Sequence, residues 1–299
     1  MEIQQLRHFL AIVDLGSYAR ASERLNISQP GLSRSIKALE DGLQLTLFER
    51  SGRGVQLTHS GRILVPRARA ILNERDRALA EAQAVSALKM GQVTIGISTV
   101  FNYMITPDVI AALRESGLGI DLNIISGPYG SMCERLELGE MDFAFLLFGP
   151  ERRRALAYDP MISIQSRIFA SDGHPLHSVD QVAPEALLDQ DWILSDNPGL
   201  RTVFGDFFAR NGLVPPPVSV APSELGLLLM AMKGTNLLTL LPAGFADLPF
   251  AARPLEVAGM RDGSRATAGL VTRRGSEASP AAAALTQLFR TAAARFDHP

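Results

Sequence analysis

Cys133 is the one cysteine of this sequence. An internal disulfide is therefore excluded, and a reducing compartment is the simple reading. No uncharged apolar run of about 18 residues occurs, so no membrane-spanning helix is predicted. The opening residues, Met1-Glu2-Ile3-Gln4-Gln5-Leu6-Arg7-His8, lack a basic region followed by an apolar stretch, so no signal peptide is expected. A cytoplasmic location without membrane contact follows as an expectation. Glycine-rich and nucleophile motifs are missing too: there is no GxGxxG, no P-loop and no GxSxG. His174 and His177 lie three apart, but no cysteine or carboxylate cluster of metal-ligand spacing accompanies them, and a surface loop fits them better. Neither an enzyme, nor a metal site, nor a cofactor is expected.

What is present is 299 residues, 46% of them hydrophobic and 20% charged, the make-up of a globular chain of two or three domains. The net charge of -2 hides an asymmetry. Residues 1–89 hold 13 Lys and Arg against 9 Asp and Glu, and the remainder is acidic. A basic head on an acidic body suits a protein that touches a polyanion with one end, although many solvated helices show a similar imbalance.

Leu6, Phe9, Leu10 and Val13 recur at helical spacing, which predicts a helix over 3–15 ending at Gly16. Ser17 suits the cap of a second helix through Ala19, Ala21 and Leu25. Asn26-Ile27-Ser28 reads as a turn, and a third helix is predicted from about Gln29 to Glu40, with Pro30 in its first turn. Two short helices joined by a tight turn make a helix-turn-helix. Leu32, Ile36 and Leu39 form one stripe of the third helix. Gln29, Ser33 and Lys37 form another, with Arg34 beside it. That second face offers an amide for a base edge, a small hydroxyl and cations for phosphates; an ordinary solvated face would read the same way. From Leu47 to Thr58, two short apolar-bearing segments flank a turn with Gly52 and Gly54, which predicts a hairpin carrying Arg50 and Arg53. A basic hairpin after a helix-turn-helix is a wing whose arginine suits a narrow minor groove.

The runs Leu6-Arg7-His8-Phe9, Gly16-Ser17-Tyr18-Ala19-Arg20-Ala21-Ser22-Glu23-Arg24-Leu25, Ser28-Gln29-Pro30-Gly31-Leu32-Ser33-Arg34-Ser35-Ile36, Leu39-Glu40, Leu47-Phe48-Glu49-Arg50, Leu57-Thr58 and Gly61-Arg62 come in the order of the DNA-binding domain of LysR-type transcriptional regulators, which this segment resembles. The resemblance implies that Gln29, Pro30 and Ser33 meet bases in the major groove. Ser28, Arg34 and Lys37 would meet phosphates, and Arg53 the minor groove. Gly31 departs from the usual alanine, at a cost to the helix of roughly 0.5–1 kcal/mol.

Thr58 is a plausible cap for a long helix reaching about Lys89, with Leu64, Ala68, Ile71, Arg75, Leu79, Ala82 and Ser86 alternating by three and four. Pro66 should kink it or end its first segment. In the resembling family this is a linker helix paired with a second subunit; the alternative is a helix that folds back on its own chain. Beyond Gly91, strand and helix patterns alternate: strands at 92–98, 120–125, 143–147, 162–170, 192–195, 218–220, 237–240 and 270–272, and helices near 106–115, 131–138, 202–211, 225–233 and 278–296. That alternation predicts a parallel α/β sheet.

This half resembles the effector-binding domain of the same family, similar in fold to type 2 periplasmic binding proteins, on Gly91-Gln92-Val93-Thr94-Ile95-Gly96, Leu138-Gly139-Glu140-Met141-Asp142-Phe143-Ala144 and Gly173-His174-Pro175-Leu176. The overall expectation is an α/β protein: a winged helix-turn-helix over 1–58, a linker and dimerisation helix over 59–89, and an effector-binding domain over 90–299. Its lobes are implied at about 91–161 with 267–299, and at 162–266. Ligands of parallel sheets lie beyond the strand C-termini, where helix N-termini point N–H groups at them. The matching candidates are Ser98, Thr99, Phe101, Asn102, Ser126, Asn197, Gly199 and Arg201. They suit a small polar or carboxylate effector, with Phe101 covering an apolar part; Ser98, Thr99 and Ser126 could instead cap helices, and Arg201 could be a structural cation. Asp196 disfavours a strongly anionic ligand if it points inward. The function expected is a sequence-specific, effector-controlled DNA-binding regulator. Its partners are duplex DNA, the effector and further copies of itself as a dimer or tetramer, with room for RNA polymerase. Two rivals remain: a redox sensor through Cys133, which has no resolving partner in the chain, and a solute-binding protein without a regulatory role.

Overall fold

The computed structural model describes residues 1–51, 54–86, 91–149, 151–222, 224–250, 252–260 and 265–296. They fall into two compact units, Met1–Gln83 with Glu137–Glu140, and Ala84–Leu136 with Met141–Pro299.

The first unit begins with α1 (Ile3–Leu15), α2 (Tyr18–Leu25) and α3 (Gln29–Leu43). Gly16 takes φ +65° and closes α1, and Ser17 caps α2 by accepting from Arg20 N. Asn26 and Gln44 also adopt positive φ, at the ends of α2 and α3. Helix α3 runs three residues beyond the predicted Glu40, because half-buried Leu43 extends the buried stripe of Leu32, Ile36 and Leu39 by another turn. The hairpin forms from β1 (Phe48–Ser51) and β2 (Gly54–Leu57), with Arg50 opposite Val55. Helix α4 (His59–Ser86) runs unbroken across Pro66, so of the two expectations for Pro66, a kink or the end of a segment, the second is corrected. Leu64, Val65, Ala68, Ile71 and Leu72 pack on the core of this unit from both sides of the proline. That burial offsets the one backbone hydrogen bond a proline cannot donate.

The second unit holds β3 (Gly91–Ser98), α5 (Phe101–Met104), α6 (Thr106–Ser116), β4 (Ile120–Gly127), α7 (Tyr129–Glu137), β5 (Phe143–Leu147) and the long β6 (Leu156–Ser171). Then come α8 (Pro198–Arg210), α9 (Leu225–Met232), β7 (Leu238–Pro242), β8 (Ala252–Pro254), β9 (Arg265–Arg273) and α10 (Pro280–Ala293). The strand order is β4-β3-β5-β9-β6-β7, with β8 also on β6. Only β4, β3 and β5 are mutually parallel. The ladders β5–β9, β6–β9, β6–β7 and β6–β8 are antiparallel, so the expectation of a parallel sheet holds for the ladders of β3, β4 and β5 and, beyond them, for isolated parallel bridges at Val182, Trp192 and Ile193. Antiparallel pairing enters with β9, which lies between β5 and β6. The segments 192–195 and 218–220, read as strands, make only isolated bridges, Ile193 to Val220 and Trp192 to Leu238. The first of them places Trp192 in a buried cluster with Phe204, Phe207 and Phe208.

The first half of β6 pairs with β9 and its second half with β7 and β8, so one strand serves two sets of partners. The register shifts between Pro160 and Ile162, opposite Gly269. A Cβ on Gly269 would lie 2.1 Å from the Asp159 carbonyl oxygen and 2.9 Å from Met161 N. The bulge and the glycine therefore require one another. Gly269→Ala must displace backbone, and a loss of about 2–3 kcal/mol is expected. Urea unfolding of the two proteins measures it, and equal midpoints would contradict the argument.

Candidate nucleic-acid interface and effector site

Ser28 sits outside the first turn of α3, and its Oγ accepts from Gly31 N at 3.2 Å. The missing Cβ of Gly31 would lie 3.1 Å from that oxygen, so the glycine relieves crowding at the cap. From this start the helix buries Leu32, Ile36 and Leu39 and leaves Gln29, Pro30, Ser33, Arg34 and Lys37 exposed or half-buried on its other side. All five, with Ser28, are candidates from the sequence, and one helix presents them together. Gln29 and Ser33 also border a recess of about 510 Å³ closed by Gly16, Ser17, Tyr18, Ala19, Phe48, Glu49 and Val55, so the start of α2, the exposed face of α3 and the hairpin enclose one concave surface. Arg50 is placed on β1 by its backbone; its side chain and the whole of Arg53 lie outside the described residues.

Two residues that sequence reasoning passed over shape this surface. Tyr18 packs edge-on against Phe48 at 5.8 Å. Burial, and then the Glu40 carboxylate, push its phenol up to about 12, so it stays a neutral donor. Its place directly after the Ser17 cap was the available signal. His8 of α1 is 7% exposed and bridges to the back of α3. Gln4 Nε2 donates to His8 Nε2 at 3.0 Å, so His8 Nδ1–H donates to Ser35 Oγ at 2.7 Å. The ring is thereby held neutral, and burial lowers its pKa from 6.5.

The candidate effector residues gather at the C-terminal ends of β3, β4 and β5 and at the start of α8, in frame and lining roles. Ser98 is buried, and its Oγ accepts from Leu147 N at 3.0 Å. Asn197 caps α8 by accepting from Leu200 N at 3.1 Å. Gly199 lets α8 approach the end of β5, since a Cβ there would lie 2.6 Å from the Phe148 carbonyl oxygen. Arg201 donates through Nε to Ser195 O and through Nη2 to Leu194 O, the structural-cation reading. Phe101 is fully buried, edge-on to Phe145 at 4.8 Å. It is a core residue and presents no face to a ligand. Asn102 donates to Ser126 Oγ at 2.7 Å, with Ser126 exposed and Thr99 half-buried beside them. Asp196 is exposed. His174, expected on a surface loop, is buried in a short 3-10 turn, and its Nδ1 accepts from Leu176 N. Burial lowers its pKa, and a backbone contact at Asn236 opposes the shift. No group of three metal-ligating side chains occurs among the described residues. Nor is any helix among them long and apolar enough to cross a membrane.

Two family models match the chain. Residues 3–62 match the bacterial regulatory helix-turn-helix protein of the lysR family, and residues 86–294 match the LysR substrate binding domain. Among curated relatives, the RuBisCO operon transcriptional regulator of Allochromatium vinosum is 28% identical over 99% of this chain and 97% of its own length. The SDS degradation transcriptional activation protein of a Pseudomonas strain is 35% identical, but over 58% of each chain. Among solved structures, the LysR family regulator CbnR superposes with a TM-score of 0.72 at 20% identity, covering 98% of this chain and 99% of the other. A full-length OxyR variant from Pseudomonas aeruginosa gives 0.65 at 21%, covering 98% and 94%. At those identities the structures speak for the fold alone.

The neutral His8 has a pH signature. The unfolded chain binds the proton more readily than the folded one, so the stabilisation is complete above about pH 6.5 and is lost as pH falls below it. Urea midpoints between about pH 7.5 and about pH 5 should fall more steeply for the native chain than for His8→Gln. Parallel pH profiles would show that His8 is not the group responsible.

Proposed function

This chain belongs to the LysR family of bacterial transcriptional regulators, and we propose that it reads its operator with the exposed face of α3 and is switched by a small molecule held between the lobes of its second unit. The observation that carries the DNA assignment is the division of α3 into a buried stripe and an exposed polar face. On this reading Gln29, Pro30 and Ser33 meet base edges, and Arg34 and Lys37 meet phosphates. Ser28 retains its hydroxyl proton for a phosphate while its oxygen caps the helix. Arg50 and Arg53 bring the hairpin to the minor groove. The working division is 1–58 for DNA, 59–89 as linker and 90–299 for the effector.

The effector proposed is a small polar metabolite, a carboxylate included. Thr99, Asn102 and Ser126 would contact it directly, with Ser98, Asn197, Gly199 and Arg201 holding the walls in place. A cytoplasmic regulator without turnover chemistry is the corresponding biochemical picture. Cys133 has no exposed surface, which gives an oxidant no access and disfavours the redox alternative. The N-terminal helix-turn-helix disfavours a solute-binding protein.

Self-association is part of the proposal. Leu79 of α4 is 46% exposed, and α9 exposes Leu227 and Met230. The edge strand β4 and α6 form a groove of about 740 Å³ lined by Ile110, Leu113, Ile120, Leu122 and Ile124. A second copy supplies matching apolar faces for all three, and two-fold pairing suits an inverted-repeat operator. Light scattering at micromolar concentration should give at least a dimer, and a monomer would end this part of the proposal.

Gln29→Ala should cost about 1–3 kcal/mol on the specific site and relax base choice. Arg34→Ala should weaken all duplexes alike and flatten the salt slope. Competition binding against random duplex, across a salt series, tests both. Unchanged discrimination in Gln29→Ala would remove α3 as the reading helix.

A further inference from the structure

Two carboxylates, half-buried Glu40 and exposed Asp41, line a groove of about 510 Å³ together with Ser33, Lys37 and Gln44, along the helix from the face of α3 assigned to DNA. A free carboxylate there would repel phosphates. Glu40 Oε1 instead accepts two backbone hydrogen bonds from the root of the hairpin, Leu47 N at 2.7 Å and Phe48 N at 3.3 Å.

The same root is held from the other side by α4. Thr58 N donates to Leu47 O at 3.0 Å. Thr58 Oγ1 donates to Thr46 O at 2.6 Å and reaches Leu47 O at 3.2 Å, while it accepts from Gly61 N at 3.0 Å as the helix cap. Gly61 must lack a side chain, because a Cβ would lie 2.3 Å from the Leu47 carbonyl oxygen. The Phe48 ring meets Phe9 of α1 at 5.3 Å and Tyr18 of α2 at 5.8 Å. All four helices of the unit thus converge on one dipeptide, whose N–H groups go to α3 and whose Leu47 carbonyl goes to the start of α4.

We propose that Glu40 and Thr58 are positioning residues for DNA recognition: they act on DNA through the hairpin, by fixing its root against α3 on one side and α4 on the other. The angle between the helix in the major groove and the hairpin beside it is then set by hydrogen bonds to the Leu47–Phe48 backbone. A change in the direction of α4 reaches the hairpin through Thr58. This rests on the assignment of the hairpin to DNA made above and adds the residues that aim it.

The test uses the full chain and the duplex that it selects from a randomised pool, with hydroxyl-radical footprinting to separate central protection from flank protection. Glu40→Ala should lose the flanks, keep the centre and bind about 10-fold more weakly or worse, since two N–H groups lose their acceptor. Glu40→Gln should protect both regions, because the amide oxygen accepts the same bonds. Thr58→Val should lose the flanks as Glu40→Ala does, which keeps the test alive if Glu40→Ala fails to fold. Tighter binding by both Glu40 variants would make the carboxylate a repulsive charge and overturn the proposal. Equal loss of centre and flanks in Glu40→Ala and Thr58→Val would make both residues merely structural, with the same consequence. Arg53→Ala separates the two levels: intact flanks there overturn the DNA assignment of the hairpin and this proposal with it. Flank loss in Arg53→Ala alone, with Glu40→Ala and Thr58→Val unaffected, overturns only the positioning role.

Discussion

The peptide groups around Leu47 are the constraint on which the DNA-reading unit depends. Leu47 is fully buried, and a buried N–H or C=O left without a partner costs more than most single contacts return. The hairpin is too short to satisfy these groups from its own ladder, which pairs only Phe48 to Ser51 with Gly54 to Leu57. The Glu40 side chain takes the two N–H groups, and the backbone N–H and hydroxyl of Thr58 take the Leu47 carbonyl. Their placement brings the hairpin root, the end of α3 and the start of α4 into one rigid joint. The exposed face of α3 is thus tied to that joint through Glu40 and to α1 through the His8–Ser35 bond behind it.

In the second unit the corresponding constraint is the shared strand. β6 carries two sets of pairings, with β9 along its first half and β7 along its second, so both sets of partners depend on one strand. The bulge at Met161 opposite Gly269 lies within the stretch paired with β9, ahead of Ser166, where the pairing with β7 begins. At the end of β5, Leu147 N is taken by Ser98, and the Phe148 carbonyl lies under Gly199. The residues proposed to frame the effector thus also hold the end of β5 to β3 and to the start of α8. A ligand that alters Asn102 or Ser126 would act beside this contact rather than at a distance from it, and differential contact is what a switch requires.

Helices α1 to α3, the hairpin and the long α4 were legible because periodicity, caps and turn residues agree along short stretches, as at Ser17, Ser28 and Thr58. The exposed candidates of α3 were legible for the same reason: one helical period assigns its faces. The effector candidates were less so. Ser98, Thr99 and Ser126 look alike in sequence, yet one is buried as an acceptor, one half-buried and one exposed. Phe101 offered no sign of whether its ring would face a ligand or Phe145. Strand direction was also hidden, because an alternating strand pattern is the same whichever way its neighbour runs, and β9 lies far along the chain from both β5 and β6.

The sequence by itself determined the order of elements, the family to which the chain belongs and the polar face of the third helix, since each is written in local spacing or in motifs of contiguous residues. Tertiary structure alone decided what Glu40, His8 and Gly269 are for, and which carbonyls Thr58 bonds besides capping α4. Each acts on an atom distant in the chain: the Leu47 and Phe48 amides, the Leu47 carbonyl, the Ser35 hydroxyl and the Asp159 carbonyl. No local pattern encodes those partners, because they exist only once packing has removed the water that would otherwise have bonded them.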